Sequence, residues 1–69
     1  MKLSARNMLK GKVKSITPGS VNSEIVLELP GGQEIVSVIT KESVENMKLK
    51  PGKVAYAVIK ASSVIIAAE

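Results

Sequence analysis

Polar and apolar side chains alternate along the first part of the chain. From Leu9 to Ile16, Leu9, Gly11, Val13 and Ser15 fall on one side and Lys10, Lys12 and Lys14 on the other, the period of two that a strand imposes. One face of this strand is basic. Thr17-Pro18-Gly19-Ser20 reads as a turn, with proline pre-setting one φ and glycine free to take a positive one. Val21 to Leu29 alternates again, with Val21, Ser23, Ile25, Leu27 and Leu29 opposite Asn22, Glu24, Val26 and Glu28. Pro30-Gly31-Gly32-Gln33 joins it to a third run, Glu34 to Thr40, and a short glycine-bearing link between two such runs predicts an antiparallel hairpin. The third run is apolar on both faces, Ile35 and Ile39 flanking Ser37 on one and Val36 with Val38 on the other.

The alternation breaks after Thr40. From Thr40 or Lys41 through Met47 the pattern predicts one or two helical turns with acids near the start. Lys48-Leu49-Lys50-Pro51-Gly52-Lys53 is a turn before a fourth strand, Val54 to Ile59, and a last strand is expected over Val64 to Ala67. No linker, low-complexity tract or internal repeat interrupts the sequence. Five short strands with one short helix between the third and fourth predict an all-β OB-fold, a partly open Greek-key barrel. The expectation is a single domain spanning residues 1–69.

Size and hydrophobicity add a second expectation. A chain of 69 residues buries too small a fraction of its surface to be comfortably stable alone. Its hydrophobic content is 45% with a lone aromatic, Tyr56, and Val26, Val36 and Val38 lie opposite the Ile and Leu positions of their strands. A small barrel has only one inside. The second apolar face therefore predicts contact with other subunits, unless those valines lie beneath the helix and loops.

Composition excludes several chemistries. With no cysteine and no histidine, disulfides, thiol catalysis and structural zinc are ruled out, and direct coordination of a metal cation is not expected. The opening residues lack an apolar run of signal-peptide length, and no segment approaches the roughly 20 apolar residues that cross a bilayer. A cytoplasmic protein without membrane contact is expected. The acids Glu24, Glu28, Glu34, Glu42, Glu45 and Glu69 form no clustered acid/base pair, no glycine loop cradles a phosphate, and no nucleophile has an evident base. Nothing here points to an enzyme.

The net charge of +4 and pI near 9.6 imply attraction to anions, with nucleic acid, acidic lipid and small oxyanions all open. A single-stranded nucleic-acid module is the alternative suggested by Lys10, Lys12 and Lys14. Such modules stack bases on aromatic rings, and Tyr56 is a poor platform by itself. Three donor-rich segments stand at element ends instead: Ser4-Ala5-Arg6-Asn7, Thr40 with Ser43, and Lys60-Ala61-Ser62. Together they offer two fixed cations, several hydroxyls and nearby backbone amides, a set suited to holding a tetrahedral dianion stripped of water. None of these groups is acidic, so a phosphate carrying a proton finds no acceptor and fully ionised oxyanions are favoured. Taken singly, each has a plainer reading. An arginine near a terminus is usually solvated, Thr40 with Ser43 makes a helix cap, and Lys60 is an edge charge that deters strand addition.

The segments also carry a family resemblance. Ser4-Ala5-Arg6-Asn7 before Leu9-Lys10-Gly11, Gly19-Ser20-Val21-Asn22-Ser23-Glu24, Ile39-Thr40 with Ser43, and Ile59-Lys60-Ala61-Ser62 together resemble the molbindins, small molybdate-binding proteins made of a single Mop domain, also described as a TOBE domain. The likeness covers nearly the whole chain in order and spacing. It implies a bacterial or archaeal cytoplasmic protein that binds molybdate, and usually tungstate, as a store or buffer, with no organic cofactor. It further implies a homohexamer, a trimer of dimers, with the oxyanion between subunits. By motif, the anion is expected at Ser4, Ala5 and Arg6 from one subunit and at Thr40, Ser43, Lys60, Ala61 and Ser62 from another. A second class of site near the three-fold axis would fall at the turn around Ser20, Val21 and Asn22.

Overall fold

In the computed structural model, which describes residues 2–69, the first strand, β1 (Asn7–Pro18), changes partners midway. Its opening half, Asn7 to Lys12, pairs antiparallel with β4 (Val54–Ile59). From Lys12 onward it pairs antiparallel with β2 (Asn22–Glu28), and the register slips between Val13 and Ser15. That bulge shifts the inward phase by one residue. Ser15, expected on the side of Val13, is exposed, and Ile16 packs against the core in its place. Bulges increase the local twist and bend of a strand, and this one lies beside Gly11, where two backbones nearly touch. A Cβ on Gly11 would stand 2.5 Å from the Glu28 carbonyl oxygen and 3.2 Å from Leu27 Cγ.

The hairpin forms as the sequence predicts. β2 and β3 (Glu34–Thr40) pair in unbroken register from Asn22↔Thr40 to Glu28↔Glu34. Gly31 and Gly32, at φ 96° and 92°, take the left-handed conformations the short link needs. The sheet order β3-β2-β1-β4 is that of a Greek key. Val13, Ile25 and Leu27 form the buried core, flanked by Ile16, Ile39, Val44, Leu49, Ala55 and Ala57. On the opposite face Lys14 is ion-paired with Glu34. That hydrogen bond and the Glu34 charge raise the Lys14 pKa, so the pair's contribution is present at neutral pH and fades only as pH climbs through that raised value.

Between β3 and β4 lies α1 (Lys41–Asn46), the short helix expected from the broken alternation. Thr40 caps it, its Oγ1 accepting from the Ser43 amide at 3.1 Å, and Glu42 in the first turn suits the helix dipole. At the other end Lys48 N–H donates to the Glu45 carbonyl and Leu49 N–H to that of Val44, the bond pattern of a Schellman motif. Lys48 occupies its left-handed position at φ 53°, where glycine is more usual. Val44 and Leu49 both pack on the core, which is how so short a helix stays docked.

The fifth strand is not formed within the chain. After β4 a 3₁₀ turn, Ala61–Ser63, redirects the backbone, held by Ser63 N–H to Lys60 O and Val64 N–H to Ala61 O. Val64 to Ala67 join no ladder, and Ile65 and Ile66 are 93% and 84% exposed. The residue types were those of a strand, but the segment leaves β4 through the 3₁₀ turn and pairs with neither outer strand, β3 nor β4. The place where the sheet remains open is a groove of about 700 Å³, one bank lined by β3 residues such as Ile35 and Ile39 and the other by β4 residues such as Ala55, Ala57 and Ile59. Two outer strands of one sheet facing each other across a groove mean that the sheet has curled into an open barrel. Of the three outward valines, Val26 is half-buried and the other two are not covered. Val36 and Val38 are 58% and 65% exposed, so helix and loops do not lie over them.

Candidate functional site

The β1–β4 ladder decides where the two cations stand. Its last rung is Asn7↔Ile59, reinforced by Asn7 Nδ2 donating to the Ile59 carbonyl at 3.3 Å. Arg6 and Lys60 are the residues immediately beyond that rung, one on each strand. The opening and closing segments thus meet at the same end of the same strand pair. Arg6 and Lys60 are both exposed, and the only ion pair among the described residues is Lys14 with Glu34. Two positive side chains therefore share a strand end with no carboxylate to neutralise them.

Around them lie the remaining residues of both segments. Ser4 is exposed and Ala5 half-buried, while Ala61 and Ser62 are exposed in the 3₁₀ turn. The first amides of any helical turn have no acceptor inside it, so this turn adds backbone donors beside the lysine. Asn7 belongs to the opening donor segment but was not among the residues expected at the anion. Its side chain ties the opening segment to β4, and only the strand register shows that role.

Thr40 and Ser43 form a second cluster at the junction of β3 and α1. Thr40 Oγ1 accepts from the Ser43 amide and donates to Ser43 Oγ at 2.9 Å. The chain of bonds leaves the Ser43 hydroxyl hydrogen as its terminal donor, polarised by the two bonds behind it. Capping and presenting a donor are thus compatible in this pair. Thr40 follows Ile39 on one bank of the open groove, and Lys60 follows Ile59 on the other. Among the described residues no hydrogen bond joins this cluster to Arg6 or Lys60. One copy therefore presents two donor clusters with an unfilled groove between their strands.

The turn around Ser20, Val21 and Asn22 is exposed and closed by Gly19 N–H to the Asn22 carbonyl at 2.7 Å, with Asn22 opposite Thr40 in the ladder. Among the described residues no group of His, Cys, Asp or Glu is placed to hold a metal ion, and no helix is long and apolar enough to cross a membrane. The chemistry on offer is donation of hydrogen bonds and positive charge.

Comparison with known proteins places this geometry. The family model described as the TOBE domain matches residues 3–66. A protein of Haemophilus influenzae named "Probable molybdenum-pterin-binding protein" is 48% identical over 69 residues, covering all of both chains. The solved structure of a molybdate-binding protein from Sporomusa ovata superposes with a TM-score of 0.93 at 38% identity, covering 99% of this chain and all of that one. The cytoplasmic molybdate-binding protein ModG, solved with molybdate bound, gives a TM-score of 0.92 at 58% identity over 94% of this chain, which spans 46% of that chain's length.

Proposed function

From the premise that this chain belongs to the TOBE-domain family, we propose that it binds molybdate, and tungstate with it, as a cytoplasmic store that performs no catalysis. The observation that carries this reading is the strand end where Arg6 and Lys60 stand together without an acid. A dianion held away from water needs positive charge and several donors at once. Ser4, the Ala5 segment and Arg6 supply part of that set; Lys60 with the turn amides and hydroxyl around Ala61 and Ser62 supply another. Thr40 and Ser43 complete it.

The cage is assembled between copies of the chain, which acts as a single Mop domain within a hexamer built as a trimer of dimers. Three exposed features support this. Ile65 and Ile66 form an apolar, unpaired tail, the β3–β4 groove is open and apolar, and Val36 and Val38 lie bare on the outer face. An unpaired tail and a barrel that lacks a strand satisfy each other when exchanged between subunits. Because β3 and β4 run in opposite directions, the two donor clusters stand at opposite ends of the groove, and a cage that uses both draws them from different copies.

The test is thermal unfolding with added anion. A ligand that binds only the folded state stabilises it by about 2.7 kcal/mol at a concentration one hundred times its Kd, which for a chain this small raises Tm by on the order of 10 °C or more. Molybdate and tungstate are expected to produce such a rise at millimolar concentration and phosphate at neutral pH is not. Unfolding curves identical with and without molybdate would refute the reading.

A further inference from the structure

We infer that Lys53, a residue of the turn before β4 outside the three donor segments, is a positioning residue for the Thr40–Ser43 hydroxyl pair. The inference rests on the placement of that pair in the anion site and adds to it the group that holds it there. α1 has no basic residue in its own last turn. Lys53 supplies one from beyond the helix: its Nζ donates to the Met47 carbonyl at 2.5 Å and to the Lys48 carbonyl at 3.4 Å. A cation at that end satisfies carbonyls that have no partner within the helix and complements its dipole.

The backbone of Lys53 is equally constrained. Its carbonyl accepts from the Val13 amide at 2.9 Å, and Gly52 N–H donates to the Val13 carbonyl at 2.8 Å. Val13 is the most buried residue of the core, at 2% exposure. Lys53 therefore bridges a fixed point at the centre of the barrel to the end of a six-residue helix whose start carries Thr40 and Ser43. Thr40 itself is fixed by the Asn22 rung and by the Lys41 N–H bond to the Val21 carbonyl, so it is Ser43, inside the helix, whose placement against Thr40 loosens when the far end of α1 is freed. Lys53→Met keeps most of the side-chain stem and removes the charge and the donors.

The experiment is a titration of the assembled protein with sodium molybdate for the wild type, Lys53→Met, Lys53→Arg, Ser43→Ala and the Lys53→Met/Ser43→Ala pair, each checked for unchanged subunit number. Lys53→Met is expected to weaken binding about two- to fivefold, Lys53→Arg to restore it, and the double variant to bind no more weakly than Ser43→Ala. A structural role alone would lower Tm and leave that cycle additive. Wild-type affinity in Lys53→Met, beside a loss in Ser43→Ala, would overturn the positioning role and leave the site intact. Full additivity would overturn it too. No loss in Ser43→Ala would remove the hydroxyl pair from the site and this inference with it. If Lys53→Met does not fold, Lys53→Gln, which keeps a donor without charge, takes its place in the cycle and is read in the same way.

Discussion

Gly11→Ala is expected to cost about 3 kcal/mol or more of folding stability, and Gly11→Val to abolish folding. The added carbon would stand 2.5 Å from the Glu28 carbonyl oxygen, and its obstacle is backbone in a paired strand, which no rotamer change can clear. Overpacking a tight site ordinarily costs about 1–3 kcal/mol. Here relief requires β1 and β2 to separate where β1 passes from one partner to the other, between the Gly11↔Ala55 and Lys12↔Glu28 rungs. A domain below about 70 residues rarely holds more than 3–5 kcal/mol in its own core, so little reserve exists. Denaturant unfolding followed by circular dichroism measures the loss. A Gly11→Ala midpoint equal to that of the wild type would show that the strands have room the structure denies them.

Arg6→Ala and Lys60→Ala are each expected to weaken molybdate binding by about ten- to one-hundredfold. Hydrogen bonds to a charged group contribute about 1.5–3 kcal/mol, and removing one cation leaves a desolvated dianion with half of its fixed compensation. Lys12→Ala serves as the control. It carries the same charge, but it lies within the sheet opposite Glu28 and Val54, and its loss is expected to change affinity less than twofold. Calorimetric titration at fixed ionic strength separates the cases. Similar losses from all three lysine and arginine variants would indicate diffuse attraction by the net charge of +4 and no discrete cage.

Much of this architecture can be read from residue order because the signals are local. The glycine pair at 31 and 32 fixes the hairpin, alternation fixes which side of β2 is buried, and Thr40 three residues before Ser43 fixes the helix start. What escapes depends on residues distant in sequence. The slip at Lys14 leaves no trace in an alternating pattern, because Ser15 is as acceptable inside as outside; only the crossing at Gly11 and the change of partner require it. Val64 to Ala67 have the composition of a strand, and whether such a segment pairs depends on how the chain leaves β4, not on the segment itself. Of the site, the residue types were legible and their grouping was not. That Arg6 and Lys60 flank one rung follows from the Asn7↔Ile59 register, and the grip of Lys53 on α1 follows from a turn folding back across the core.

The central claim is that charged and hydroxyl donors close around molybdate only when copies of the chain assemble. Native mass spectrometry with and without molybdate measures subunit number and bound ions together. A hexamer that gains discrete molybdate ions, with none on any residual monomer, is the predicted result. A monomer that takes up no ion, or one that binds molybdate as fully as the assembly does, would contradict it.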